Sequence, residues 1–142
     1  MSVDPERAAF DAFKALPRDR PIAMINLIRY RAQAAYPADH PLAVRGMSGA
    51  DAYRRYGKES GPIFAHVGGS IVWRGRPALT LIGPADEAWD AAFVARYPTA
   101  AAFLEMVTDA DYRRAVVHRQ AAVADSRLIR CSAGEDVGRG FA

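Results

Sequence analysis

Apolar residues recur at helical spacing at Ala9, Phe10, Phe13 and Leu16, directly behind Asp4, Pro5 and Glu6. An acid at the N-cap, proline at the first helical position and an acid in the first turn predict a helix there, which Pro17 stops. From Ile22 to Tyr30 the pattern changes to a nearly unbroken apolar run bounded by Pro21 and interrupted by Asn26. Its length predicts a strand that is apolar on both faces. Residues 31–47 carry Pro37, Pro41 and Gly46 and no periodicity. They predict a flap, since connections of this length are uncommon unless they cover something.

Ser48 with Asp51 three residues on resembles a capping box, opening a helix with Ala52, Tyr53 and Tyr56 inward. Ser60, Gly61 and Pro62 are expected to break it, with a short turn resuming through His66. Gly68 and Gly69 release the chain into a strand from Ser70 to Arg74. A turn at Gly75 to Pro77 and a partner strand from Ala78 to Ile82 complete a predicted hairpin. Beyond the acidic loop from Gly83 to Trp89, alternation over Asp90 to Tyr97 argues another strand. Pro98 and Thr99 open a helix carrying Phe103, Met106 and Val107. Thr108 with Asp111 repeats the capping pattern for a helix through about Ala124, and Arg127 to Cys131 is the last strand. The glycine-rich end of the chain is expected to be mobile.

Strand, helix, strand, strand, helix, strand is the order of a ferredoxin-like split βαβ unit, an α+β fold with one antiparallel sheet and helices on one face. The expectation is a single domain over residues 1–142: an N-terminal helix (1–17), a core (22–131) and a flexible tail (132–142). Helices cover one sheet face, so the other is expected to expose Met24, Ile28 and hairpin residues. An apolar patch of that kind marks an interface, and a twofold pair is the commonest closed assembly. A homodimer is predicted.

Composition narrows the class. The chain has 142 residues, 51% hydrophobic and 25% charged, a globular balance with no apolar run long enough to span a bilayer. The first residues carry acids and no apolar stretch, so no secretory signal is expected and the cytoplasm is the default. A single cysteine, Cys131, is expected to pack rather than to form a disulfide or a metal motif. The net charge of +3 comes from arginines interleaved with Asp and Glu rather than gathered on one face, so no nucleic-acid partner is implied.

Several segments together resemble the DUF1330 group of the dimeric α+β barrel superfamily. They are Met24 to Tyr30, Asp51 to Tyr56, Gly68-Gly69 before Trp73, Leu81 to Pro84, Trp89-Asp90, Arg96 to Pro98 with Ala102-Phe103, and His118-Arg119 ahead of Asp125 to Ile129. The resemblance runs over Ile22 to Cys131. It implies the fold and a dimer, and through similar folds a small-molecule isomerase or cofactor-independent monooxygenase.

Candidate chemistry is sparse. Asn26 is the strongly polar residue of the first strand; it either bonds a neighbouring backbone group or holds a substrate carbonyl. On the last helix, spacing puts Arg119 on the apolar side with Tyr112, Ala115 and Val116, and His118 toward an edge. A buried arginine requires an anion, supplied either by Asp90 or Asp125 or by a bound carboxylate. His66 and His118 are the candidate general bases, because histidine titrates near neutrality unaided, although neither has a visible triad partner. Histidines at 40, 66 and 118 lack metal-ligand spacing, so no metal site is expected. Tyr53, Tyr56 and Trp73 are candidate pocket walls and Arg96 a further substrate-binding candidate, placed on the sheet face opposite Trp73. Asp86, Glu87 and Asp90 read as a solvated acidic loop.

Two functional readings stay open. In one, a cavity between sheet and helices binds a small organic molecule and acts on it without a cofactor, with Asn26 and Arg119 orienting substrate and His66 or His118 moving a proton. In the other, the dimer binds a ligand or is purely structural. A haem-binding reading would need an axial histidine, and none is assignable.

Overall fold

The computed structural model describes residues 1–134. Of the tail expected to be mobile, residues 135–142 lie outside the described residues. The elements in order are α1 (Arg7–Ala15), β1 (Ile22–Tyr30), α2 (Gly49–His66), β2 (Ser70–Gly75), β3 (Ala91–Tyr97), α3 (Ala100–Thr108), α4 (Ala110–Ala122) and β4 (Val123–Ser132). The sheet runs β2-β3-β1-β4 with every pair antiparallel, which is the ferredoxin-like arrangement. No helix among the described residues is long and apolar enough to cross a membrane.

Period two decides which side of β1 faces the helices. Ile22, Met24 and Ile28 are buried beneath them, with Tyr97 and Ala95 as cross-strand neighbours on β3. This corrects the expectation that Met24 and Ile28 lie on the uncovered face. The uncovered face carries Ala23, Ile25 and Leu27, and Ile25 is flanked by Val94 and Ile129. Both sets are apolar, so the strand itself does not distinguish them.

The buried core falls into two clusters along β1. One gathers Ile22, Met24, Tyr97, Phe103, Met106 and Tyr112; the other gathers Ile28, Ala52, Ala122 and Val123. Asn26 stands between them on the helix-facing side.

Local rules hold at several helix starts. Ser48 Oγ accepts from the Asp51 amide at 3.0 Å, and Thr99 Oγ1 accepts from Ala102 at 3.0 Å. Others are corrected. The α1 cap position is Glu6 without a side-chain cap, because Asp4 instead accepts from Gln120 Nε2 at 3.2 Å. Asp109 rather than Thr108 caps α4, while the Thr108 hydroxyl turns back to the Leu104 carbonyl. Pro62 does not break α2, which is one helix of 18 residues. Proline removes its own N–H, but Ile63 and Phe64 beyond it pack on the core and hold the helix in line.

The expected hairpin does not form. β2 pairs with β3, and Ala78 to Ile82 takes no regular structure. β3 is already held by β1, so pairing there extends an existing sheet, which a local two-stranded hairpin cannot match. The final strand also starts earlier than expected, at Val123.

Residues 31–47 do not cover the space under the sheet. The Arg31 and Ala35 amides donate to the carbonyls of Ala122 and Ala121, both at 2.8 Å. The segment therefore caps the end of α4, away from the cavity described next.

Candidate functional site

Between the helix-facing side of the sheet and α1, α2 and α4 lies a cavity of about 1240 Å³. Met24, Asn26, Phe93 and Ala95 form its floor, and Tyr53, Tyr56, Tyr112, Val116 and Arg119 its helical wall. The gap between the two core clusters leaves this space open at Asn26. The Asn26 Nδ2 donates to the Met24 carbonyl at 3.1 Å, and the other end of its amide has no protein partner among the described residues.

The tyrosines form a connected wall. Tyr30, Tyr53 and Tyr56 follow one another at ring separations of 5.3 and 5.4 Å, and the Tyr56 and Tyr112 hydroxyls are hydrogen-bonded at 2.8 Å. Burial pushes the Tyr53 and Tyr112 hydroxyls well above the ordinary tyrosine range, so both stay protonated near neutrality. They can donate hydrogen bonds to a ligand and do not serve as resting bases.

Arg119 supplies the charge. Its guanidinium donates to the Val3 carbonyl and to Ser126 Oγ at 3.3 Å, and Ser126 Oγ donates to the Ser2 carbonyl at 2.7 Å. No carboxylate pairs with it among the described residues. The expected partners are engaged elsewhere: Asp125 with Arg29, Arg127 and the Ser2 amide, and Asp90 with the Tyr30 amide. Besides Arg119, the cavity lining contains Arg54, Arg74, Arg113 and Arg130 against Asp4 and Glu6, so its potential favours anions.

The N-terminal segment closes one side of the space. Asp125 accepts from the Ser2 amide at 2.8 Å, and Arg130 donates to the carbonyls of Phe13 and Pro17. None of the α1 residues is buried, yet Phe13 rests on Phe103 at 5.0 Å. The helix is thus a strap held mainly by its ends.

Of the residues singled out from sequence, Asn26, Tyr53, Tyr56 and Arg119 converge on the cavity. His66 is exposed at the end of α2, outside the lining. His118 is 6% exposed and also outside it, correcting its expected place at a helix edge. Its Nε2 lies 3.0 Å from Glu59 Oε2 and its Nδ1 2.7 Å from the Tyr36 hydroxyl, on the seam between α2 and α4. Trp73 lies opposite Val94 on the uncovered sheet face, 56% exposed. Alternation puts exposed Arg96 on that same face, not the opposite one as expected, and neither residue lines the cavity. Tyr30, Ser126 and the Ser2-Val3 backbone were not legible as site members. Ser126 had a signal in the strand alternation, but the N-terminal contacts are fully non-local.

No group of three or more His, Cys, Asp or Glu among the described residues is placed to hold a metal ion. Residues 43–131 match the family described as Domain of unknown function (DUF1330). The chain belongs to this family. A protein of unknown function from Rhodopseudomonas palustris is 50% identical to it, with a TM-score of 0.85 over 94% of this chain and 97% of that one. The methylated form of that protein gives 48% identity and 0.88 over 96% and 97%. A more distant structure, from Bacteroides fragilis, is described as a dimeric protein of unknown function with a ferredoxin-like fold. It is 13% identical, with a TM-score of 0.47 over 79% of this chain and 95% of that one. No curated protein matches the chain.

Proposed function

We propose that this DUF1330 member binds a small amphipathic organic anion, an apolar or aromatic body bearing one carboxylate, in the cavity beneath its helices. The observation that carries this reading is Arg119, half-buried on the cavity wall and bonded, among the described residues, to neutral acceptors alone. A guanidinium fork matches a carboxylate, and the tyrosine hydroxyls and the free end of the Asn26 amide supply further polar contacts. The aromatic wall from Tyr30 to Tyr112 accommodates the apolar body.

Capture without turnover is favoured over the cofactor-independent isomerase or monooxygenase version. The two histidines proposed to move a proton are outside the lining, and burial holds the Tyr53 and Tyr112 hydroxyls inside it protonated. The setting proposed is the cytoplasm, where a lone thiol such as Cys131 stays reduced.

Phenylacetate and its uncharged amide are suitable probes. Calorimetric titration should show the acid binding at least tenfold more tightly than the amide, and Arg119→Met should abolish the difference. Equal affinity for both in the native protein would sink the carboxylate assignment.

A second reading concerns assembly, and we infer a homodimer packed through the uncovered sheet face. Trp73 and Ile129 are 56% and 48% exposed there, beside half-buried Ile25, Leu27 and Val94. A self-complementary apolar face is what a twofold contact buries. Sedimentation of native protein and of Trp73→Glu tests it: a dimer that the variant weakens supports the reading, and a native monomer removes it.

A further inference from the structure

β2 and the loop behind it form a unit that the described residues leave bare. Every residue from Ser70 to Arg74 is exposed, including Ile71, Val72 and Trp73. In the loop that follows, Leu79, Leu81 and Ile82 are 80%, 85% and 93% exposed. A concentration of apolar surface within one short segment marks an interaction site.

The loop is nonetheless anchored at its base. Arg29 donates to the Asp86 carbonyl at 3.1 Å, Arg127 pairs with Glu87 and stacks over Trp89, and the Asp90 amide donates to Ile28 at 2.7 Å. Thr80 Oγ1 donates to the Glu87 carbonyl at 2.8 Å, tying the outer part to that base. By strand alternation Arg29 and Arg127 share the face of Ile25 and Ile129, so the base of the loop joins the uncovered sheet face.

Ala78 to Ile82 also has the composition of a strand, yet it finds no strand partner among the described residues. β2 is a sheet edge whose outer side is unpaired among the described residues. We infer that residues 78–82 form a dimerisation arm, crossing to a second copy of this chain and laying Leu79, Leu81 and Ile82 against that copy's apolar surface. This rests on the homodimer reading.

A second copy is the occupant the geometry favours. The chain leaves β4 at Ser132, opposite Ile22, at the far end of the sheet from the Gly75–Ala92 pair where the arm begins. The N-terminal segment is already committed to α4 and β4. Twofold exchange covers both arms and both sheet faces at once, and it closes the assembly so that no apolar surface is left to propagate it.

The test uses the full chain. Sedimentation velocity over a dilution series would compare native protein, the triple variant Leu79→Ser/Leu81→Ser/Ile82→Ser, and Val44→Ser as a matched change at a residue 90% exposed elsewhere. Expected are a native dimer, a dissociation constant raised at least a hundredfold in the triple variant with unchanged circular dichroism, and no effect of Val44→Ser. Hydrogen exchange on native protein supplies the second readout: amides 78–82 should be protected in the dimer and lose protection on dilution to monomer. A native dimer whose arm amides exchange at the free-chain rate, or a folded triple variant that dimerises as tightly as native protein, overturns the arm and leaves the dimer standing. A native monomer at all concentrations overturns both. If the triple variant does not fold, native exchange alone decides.

Discussion

His118 Nε2 stands 3.0 Å from Glu59 Oε2, and its Nδ1 stands 2.7 Å from the hydroxyl of Tyr36. Neutral His118 satisfies both neighbours, donating to Glu59 and accepting from Tyr36. Burial holds its pKa below the ordinary value of 6.5, outweighing the Glu59 carboxylate, which pulls the other way; Arg55 and His40 add to the depression. With the folded pKa the lower one, the unfolded chain binds the extra proton first as pH falls. The stabilisation from neutral His118 is therefore complete above about pH 6.5 and declines as pH drops toward the folded pKa. Melting temperature should fall over that window in native protein, and His118→Gln should flatten the slope. Tyr36→Phe, which removes the donor to Nδ1, should cost about 1 kcal/mol at pH 8.

Asn26 interrupts an otherwise continuous apolar floor between the two core clusters. Asn26→Leu would join the clusters and remove a half-satisfied amide. It should stabilise the fold by about 1 kcal/mol, raising the melting temperature by about 3 °C, while weakening phenylacetate binding several-fold. Calorimetry of the variant with and without the acid reads both. A gain in stability with unchanged affinity would place the ligand elsewhere.

Gly49, the first residue of α2, is buried where a Cβ would run into the Arg31 carbonyl and lie 2.8 Å from that of Ala122. Both are backbone atoms, and the Ala122 carbonyl holds the Arg31 amide at the end of α4, so neither can swing aside as a side chain would. Gly49→Ala should cost about 1–3 kcal/mol in urea unfolding, from overpacking alone. Gly57→Ala, in the same helix with open space around it, should be neutral or stabilising by comparison.

Asp125 fastens the N-terminal strap through the Ser2 amide. That bond, with Ser126 and Arg127 adding to it, holds the Asp125 carboxyl below the ordinary carboxylate value of 3.8. A depressed carboxylate stabilises the fold above its unfolded pKa, and the contribution is lost as pH falls through the folded one. Asp125→Asn should therefore loosen the strap at neutral pH, seen as faster tryptic cleavage at Arg7 and faster amide exchange in α1. Unchanged cleavage would mean that Arg119 and Arg130 suffice to hold it.

Features that neighbouring residues settle among themselves can be read directly from their order along the chain. β1 runs from Ile22 to Tyr30 as its apolar run and flanking proline require, and Ser48 and Thr99 cap their helices because cap and amide are three residues apart. Element order then restricts the topology to the split βαβ arrangement. Tertiary structure decided whatever depends on partners distant in the chain. Met24 and Ile25 are equally apolar, and only the helices above the sheet choose between them. β2 takes β3 rather than Ala78 to Ile82 because β3 is held from its other side by β1. His118 and Arg119 are adjacent residues on one helix, yet one is enclosed by Glu59 and Tyr36 and the other faces the cavity. The Val3 carbonyl reaches Arg119 across 116 positions. Periodicity reports which faces of an element are apolar, but the packing of the whole chain determines which face is covered, and by what.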